Sequence, residues 1–166
     1  LAKTKWNFLN FSPGLVGGNC LPVDPFYLYH LAKKNNYNAK FMLSGRQVND
    51  ELGEFIVNEI IKNSKLKKYK KILILGVSYK SNVADLRNSL ALKIYLKLKK
   101  KLRNRVFAFD PIVDKSNAQK FKILQKISKI NNYDLIVPLV NHNKFQIINL
   151  FFHSYKYFII LILSHY

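Results

Sequence analysis

The stretch Lys71-Ile72-Leu73-Ile74-Leu75-Gly76-Val77 decides the fold expected for this chain of 166 residues. It is a continuous apolar run, which is typical of a parallel strand buried on both faces. Apolar side chains then share one stripe of a helix predicted at 89–101: Leu90, Ile94 and Leu98. An α/β pattern therefore begins at residue 71.

Two more strands are predicted after this helix, at 105–109 and 134–140. Pro138 indicates a strand end or an edge strand, because proline lacks the N–H that a central strand donates. The strand-helix-strand spacing predicts an α/β fold with a parallel sheet and right-handed crossovers. Ligands of such sheets bind at the carboxyl ends of the strands. Polar residues fall at those ends: residues 78–80, Asp110 and His142.

The residues before the sheet are predicted to be helical, at 25–35 and at about 39–63. Apolar positions on the longer helix have the spacing of one buried face: Val48, Leu52, Phe55, Ile56 and Ile60. Gly53 weakens this helix slightly, because glycine is a poor helix former.

The basic segment 65–71 is the predicted domain boundary, and it separates a helical part, 1–64, from an α/β part, 72–166. The tail at 146–166 is strongly apolar, but polar residues interrupt it. A membrane-spanning helix needs about 20 largely uncharged residues. We therefore expect a buried terminal helix and strand in the tail, with a frame-shifted end as the alternative.

The chain carries 28 Lys and Arg against 9 Asp and Glu, a formal charge of +19. Such a charge ordinarily indicates nucleic acid or an anionic membrane as the partner. Only four of the basic residues are arginines, however, whereas base readout favours arginine. A basic anion- or nucleic-acid-binding module is therefore the minor alternative. A single Cys fits a reducing, cytoplasmic location, and one Cys with four dispersed His makes no metal-ligand set.

The cysteine, Cys20, lies in a dense motif that runs from Pro13 to Pro25. Two adjacent glycines let the backbone approach closely before the thiol. Asp24 is predicted to be the N-cap of the next helix, with proline at its first position. A thiol just ahead of a helix N-terminus is placed where a thiolate is favoured. The motif therefore predicts a nucleophile; the alternative is an inert buried cysteine.

This motif and three later blocks, in this order, closely resemble the UDP-glucose/GDP-mannose dehydrogenase family, and most closely its UDP-N-acetylhexosamine 6-dehydrogenases of surface polysaccharide synthesis. The matching segments are residues 3–9 with 13–28, 44–50, 76–89, and 109–111 with 141–145. The resemblance implies the helical end of a central dimerisation domain followed by a Rossmann-like, parallel-sheet UDP-binding domain. It also implies a homodimer and a UDP-sugar substrate.

The family oxidises C6 of the sugar in two NAD-linked steps, from alcohol through aldehyde to carboxylate. The resemblance implies that Cys20 adds to the aldehyde as a thiohemiacetal, and that Asp24 assists hydrolysis of the resulting thioester. Asp24 is equally explained as an N-cap. Asn19 stands where this branch usually has His, and an amide cannot titrate near neutral pH. Thiolate activation is therefore expected to be weaker here.

The resemblance implies further contacts. Lys80 would reach the UDP-sugar from the C-terminal domain. Arg87 would contact NAD across the domain interface, or would instead pair with Asp85. Residues of the loop that packs on the sugar nucleotide also align: Phe8, Phe11 and Gly17. His142 is expected to be structural.

The dinucleotide fingerprint GxGxxG does not occur in this sequence, which has six glycines. In the family this fingerprint belongs to an N-terminal NAD-binding domain, so the isolated chain is not expected to catalyse hydride transfer. Two explanations stay open. The chain is part of a working enzyme whose NAD-binding half is elsewhere, or it is a decayed remnant that at most binds a UDP-sugar.

Overall fold

The computed structural model describes residues 4–9, 14–66, 68–127 and 129–145, and it begins with two helices. Helix α1 is Asp24–Lys34 and helix α2 is Lys40–Leu66. Helix α2 extends three residues beyond the predicted end at residue 63. The physical reason is that Ser64, placed in the helix, is fully buried and accepts a hydrogen bond from Arg105. The predicted tail at 146–166 lies outside the described residues.

The α/β part contains the expected parallel sheet. Its strands are β1 (Ile72–Leu75), β2 (Val106–Phe109), β3 (Ile123–Leu124) and β4 (Leu135–Pro138). Their order is β3-β2-β1-β4, and each neighbouring pair is parallel. Pro138 is the last residue of β4, so the predicted strand end is confirmed, and β4 is also an edge strand among the four strands that the structure describes.

Two helices follow strands along the chain. Helix α3 (Leu90–Leu102) begins at Ser89, whose side chain accepts a hydrogen bond from the Leu92 amide. Helix α4 (Lys115–Phe121) begins at Asp114, which caps it in the same way through the Asn117 amide. Neither α4 nor β3 is predicted above. Their signal in the sequence is the capping aspartate ahead of a short polar helix.

The pleat of β1 separates two cores. Ile72 and Ile74 face the larger cluster, which includes α3 and the second half of α2, whereas Leu73 and Leu75 face a smaller cluster around Phe109, Ile136 and Phe145. All four side chains of β1 are fully buried. This is why the run is apolar without alternation.

Helices α2 and α3 pack closely because Gly53 is glycine. A Cβ added to Gly53 would lie 2.8 Å from Cδ1 of Leu90. The predicted buried face of α2 is correct for Ile56 and Ile60, which are completely buried. It is wrong for Val48 and Phe55, which are 64% and 50% exposed, because no described segment covers that side of the helix.

Among the residues that the structure describes, no helix is both long enough and apolar enough to cross a membrane.

The turn after β1 depends on a glycine, and this gives a direct test of the fold. Gly76 has φ of +76°, and an added Cβ would collide with the carbonyl oxygen of Val140. We expect Gly76→Ala to lower the free energy of unfolding by about 3 kcal/mol, from backbone strain and overpacking together. Urea unfolding measures this. The matched control is Gly45→Ala in α2, where nothing lies within 4 Å; it should stabilise by about 0.5–1 kcal/mol. Equal effects of the two substitutions would contradict the packing described here.

Candidate active site

The thiol loop, defined here as residues 14–23, presents an exposed cysteine directly before α1. The carbonyl of Cys20 accepts hydrogen bonds from the amides of Val23 and Asp24, at 2.9 and 2.8 Å. Cys20 itself is exposed, as a nucleophile must be and an inert core cysteine is not. The prediction that Asp24 caps α1 is wrong. Val23 is the N-cap, without a side-chain capping hydrogen bond, and Asp24 is the first residue of the helix. The helix starts one residue earlier than predicted because the amides of Val23 and Asp24 both bond to the Cys20 carbonyl.

The two glycines ahead of the thiol lie directly against the turn that follows β1. A Cβ on Gly17 would lie 2.8 Å from the Asn88 carbonyl oxygen, and one on Gly18 would lie 2.9 Å from Cε2 of Tyr79. Gly18 also has φ of +90°. Only residues without a Cβ allow this approach. Tyr79 is the residue just before Lys80, so the thiol loop and the Lys80 turn are in contact.

Side chains of α2 hold the thiol loop on both sides of the cysteine. The Asn49 side-chain amide accepts from the Val16 amide at 3.0 Å and donates to the Val16 carbonyl at 3.0 Å. Arg46 donates through Nη1 to the Pro22 carbonyl at 3.2 Å and through Nε to Asp50 at 2.9 Å. The loop is therefore fixed before and after its reactive residue.

Asn19 makes the one side-chain hydrogen bond between the thiol loop and the segment just before α3 that the described structure shows. Its Oδ1 accepts a hydrogen bond of 3.2 Å from Nδ2 of Asn88. An amide at position 19 thus has a structural partner, although it has no proton to exchange near neutral pH.

The carboxyl ends of three strands meet at a buried carboxylate. Oδ2 of Asp110, which follows β2, accepts from the backbone amides of Val77 and Ser78 at 2.9 and 3.2 Å. It also lies 3.1 Å from Nε2 of His142, which follows β4, and both side chains are fully buried. Burial alone would raise the pKa of Asp110, but the bonds from His142 and the amides of Val77 and Ile112 outweigh it and hold that pKa below its ordinary value.

His142 connects this carboxylate to the turn that carries Lys80. Its Nδ1 accepts from the Asn82 amide at 2.9 Å, which leaves the ring proton on Nε2. Ser78 Oγ lies 3.2 Å from that Nε2 and donates to the Lys80 carbonyl at 3.0 Å. His142 is therefore structural, as expected. Lys80 is exposed at the end of this turn.

Arg87 forms the alternative contact that was predicted for it. Its guanidinium holds Asp85 at two points, with Nη2 to Oδ2 at 2.7 Å and Nε to Oδ1 at 3.1 Å. Hydrogen bonds from the Arg87 side chain and backbone hold the pKa of Asp85 below its ordinary value. The guanidinium stays 73% exposed, so it remains open to a further partner.

Comparison with known proteins gives the family of this chain. The UDP-binding domain of the UDP-glucose/GDP-mannose dehydrogenase family matches residues 73–156, and the central domain of the same family matches residues 1–51. The chain belongs to this family.

Several relatives share its sequence. It is 36% identical over 152 residues to the UDP-N-acetyl-D-glucosamine 6-dehydrogenase of Salmonella typhi, a match that covers 87% of this chain and 35% of that protein. It is 37% identical over 150 residues to Protein CapL of Staphylococcus aureus, over 86% and 35% of the two chains. The chain thus spans about a third of the length of these curated relatives.

Solved structures show the same fold. The UDP-N-acetyl-mannosamine dehydrogenase Cap5O from S. aureus superposes with a TM-score of 0.65 at 29% identity, over 87% of this chain and 33% of that chain. The GDP-mannose dehydrogenase from Pseudomonas aeruginosa superposes with a TM-score of 0.69 at 18% identity, over 92% and 37%. At that lower identity the second likeness shows the fold alone.

The predicted site residues divide into three groups. The structure brings Gly17, in the loop that carries Cys20, next to Tyr79 in the Lys80 turn, and Asp24 follows this loop as the first residue of α1. Phe8 is 43% exposed, with its amide bonded to the Lys5 carbonyl, and no contact places it in the site. Phe11 lies outside the described residues. Sequence reasoning missed Asn49, Arg46 and Asn88 as loop-holding residues; their only signal is a place inside the matching blocks.

NAD is the cofactor that family membership implies, and the described residues do not fit it by themselves. The one strand-helix glycine, Gly76, is packed against Val140, so its turn has no space for a pyrophosphate. Arg87 is the only predicted NAD contact in this chain, and it is exposed and paired with Asp85. No step is therefore assigned to NAD on these residues.

The Asp110 site predicts a pH-dependent stability. Because the pKa of Asp110 is lowered in the folded state, its contribution is complete above the ordinary aspartate pKa of about 4 and is lost as the pH falls through the lower folded value. We expect Asp110→Asn to destabilise by about 3 kcal/mol at pH 7, since buried amides and His142 lose a charged acceptor. The stability of Asp110→Asn should also fall less than that of the native chain between about pH 5 and pH 2, because the variant lacks the carboxylate that titrates in this range.

Urea unfolding across this pH range measures both effects. The control is Glu51→Gln on the exposed side of α2, which removes one surface carboxylate. An unchanged pH profile in Asp110→Asn would show that Asp110 is not the titrating group.

Proposed function

We propose that this chain provides the thiol and the UDP-sugar-binding part of a UDP-sugar 6-dehydrogenase, an oxidoreductase of polysaccharide biosynthesis. The substrate class is a UDP-hexose or UDP-N-acetylhexosamine, by analogy with the named activities of its relatives. The observation that carries the proposal is the contact of Gly17 and Gly18 with Tyr79 and Asn88. This contact supports the proposal because it joins the loop that carries the exposed cysteine to the strand-end turn where ligands of parallel sheets bind.

The chemistry of this chain begins with Cys20. Its thiolate adds to the C6 carbonyl carbon of the sugar aldehyde; a C–S bond forms, the carbonyl electron pair moves to oxygen, and the oxygen takes a proton. The C6 carbon of this thiohemiacetal carries a hydrogen that can leave as hydride, whereas the free aldehyde cannot lose its hydrogen in this way. The oxidation to the thioester requires a two-electron hydride acceptor, for which the family uses NAD.

Asp24 is the proposed assistant for hydrolysis. Its carboxylate is exposed in the first turn of α1, immediately after the turn closed on the Cys20 carbonyl. Since it forms no capping bond, it is available to accept a proton from the water that attacks the thioester carbon. The C–S bond then breaks, and the thiol and the sugar carboxylate are released.

Lys80 is the proposed contact to the anionic substrate. It is exposed at the end of a turn whose backbone is fixed by Ser78, His142 and Asn82. An ammonium on a rigid turn at the carboxyl end of β1 suits a phosphate or a developing carboxylate. Arg87 is the proposed contact to NAD, and its exposed guanidinium would keep Asp85 as an orienting partner. Because this sequence contains no GxGxxG, the isolated chain is not expected to reduce NAD.

We further propose that the partner is a second copy of the chain, as in a homodimer. Phe41, Val48 and Phe55 recur every seven residues on α2, so they share one side of the helix, and they are 70%, 64% and 50% exposed. Helix α1 adds to this surface, since none of its residues is buried. Large apolar side chains in such a row are typical of a protein interface.

A sugar-nucleotide site is tested by thermal stability. We expect UDP-N-acetylglucosamine or UDP-N-acetylgalactosamine, at about 100 times its Kd, to raise the unfolding midpoint by roughly 5–10 °C, because ligand binds only the folded state. Lys80→Ala should reduce this shift. The matched control, Lys100→Ala, removes an exposed lysine on α3 and should keep it. No shift with any UDP-sugar would favour a decayed remnant, and an equal shift in Lys80→Ala would place the site elsewhere.

The apolar row on α2 is tested by sedimentation velocity. We expect the chain to self-associate at concentrations on the order of 10–100 μM, in the range of interfaces of modest area. Val48→Glu should weaken the association at least about tenfold, because a charge is then buried against apolar side chains. Gln119→Glu, on the exposed side of α4, makes the same change in charge and should have little effect. A monomer at all these concentrations would contradict the homodimer.

A further inference from the structure

We infer that Asn49 is a positioning residue for the thiol, acting with Arg46 as a clamp on the two ends of the thiol loop. Neither side chain contacts Cys20. Asn49 binds Val16, four residues before the cysteine, and Arg46 binds Pro22, two residues after it. The segment between these two points contains the reactive residue and the paired glycines.

The two clamping residues belong to one surface of α2. They are three residues apart, so their side chains project from the same side of the helix. Arg46 is itself held by Asp50 one turn further along, at 2.9 Å between Nε and Oδ2. The clamp is thus anchored on a regular element, which places a loop more exactly than the loop's own contacts do.

The chemistry of an amide explains why asparagine suits position 49. The Val16 backbone offers one donor and one acceptor, and the Asn49 side chain forms a hydrogen bond of 3.0 Å with each. It therefore pairs with Val16 as a neighbouring strand would. A carboxylate of the same shape would accept from the Val16 amide but could not donate to its carbonyl. An alanine would make neither bond.

The loop needs such a clamp because its own packing is sparse. Val16 and Leu21 are 40% and 75% exposed, and Asn19 and Cys20 are also exposed. Its other described contacts are Leu15, which packs against the larger core, the approach of Gly17 and Gly18 to Tyr79 and Asn88, and the Asn19–Asn88 hydrogen bond. Glycine contacts bring little apolar area, so they allow the loop to slide unless polar bonds fix its register.

The effect of the clamp on catalysis rests on the proposed role of Cys20. The clamp itself is independent of that role, because it consists of hydrogen bonds in the structure. If Cys20 captures an aldehyde at the strand-end turn, its sulfur must stay in one place relative to Tyr79 and Lys80. Loss of the clamp then leaves the thiol and the turn intact but no longer aligned. A small displacement of this kind is enough to reduce catalysis strongly.

The experiment combines amide hydrogen exchange and thiol alkylation on four forms of the 166-residue chain: native, Asn49→Ala, Asn49→Asp and the control Asn58→Ala. Asn58 is an exposed asparagine on the same helix. We expect Asn49→Ala to lose protection of the Val16 amide by roughly tenfold or more, since Asn49 is its hydrogen-bond acceptor. Asn49→Asp should keep that protection, because it still accepts from Val16.

Alkylation of Cys20 by iodoacetamide tests the effect on the thiol. We expect it to be about threefold faster in Asn49→Ala than in the native chain, with Asn49→Asp between them, because the loop opens more often. Asn58→Ala should match the native chain in both measurements. The thermal midpoint should not fall in Asn49→Ala, since alanine is the better helix former; this separates positioning from folding.

Two results would overturn the inference: a Val16 amide equally protected in Asn49→Ala, or an alkylation rate that is the same in all four forms. Failure of the proposed function is distinguishable, because it would leave the Asn49-dependent protection in place while UDP-sugars cause no thermal shift.

Discussion

The carboxylate of Asp110 lies at the centre of the α/β part, where the ends of β1, β2 and β4 meet. It accepts hydrogen bonds from Val77, Ser78 and Ile112 and faces His142, with no exposure to solvent. A buried charge is tolerated only when hydrogen bonds or an opposite charge compensate its loss of contact with water. Through His142 and Ser78 the same network fixes the backbone from Ser78 to Asn82. The exposed Lys80 therefore stands on a rigid base, although its own side chain is at the surface.

The second half of the candidate site has the opposite character. The thiol loop has little apolar core, and polar contacts of Asn49, Arg46 and Asn88 together with two glycine contacts place it. The rigid turn and the thiol loop meet at Tyr79. In the proposed function, Lys80 stands on the well-packed sheet and Cys20 on a segment of lower local stability. Such a division suits the proposed covalent role of Cys20.

The helical part has an apolar surface that is exposed to solvent. Many of its exposed apolar residues lie on α1 and on one side of α2, whereas the other side of α2 is joined to α3 through Gly53 and the buried Ile56 and Ile60. The match to the central domain of the UDP-glucose/GDP-mannose dehydrogenase family covers residues 1–51 and so ends within α2. This boundary accounts for the difference between the exposed and the buried side of α2. The part of α2 that packs on α3 lies after that match, and the part with the exposed row lies mostly within it.

Three of the four described strands could be read from the sequence, because local patterns report burial directly. The apolar run at β1, the stripe of Leu90, Ile94 and Leu98, and Pro138 at the edge all read correctly. The motif around Cys20 likewise identified the family. The folded structure was needed to show that Val48 and Phe55 are exposed, that Asp24 is not a cap, and that Asn49 and Asn88 hold the thiol loop. Periodicity shows that a helix has an apolar side but not whether anything covers it. The bonds from Asn49 and Asn88 join residues 33 and 69 positions apart, so they exist only once the chain has folded.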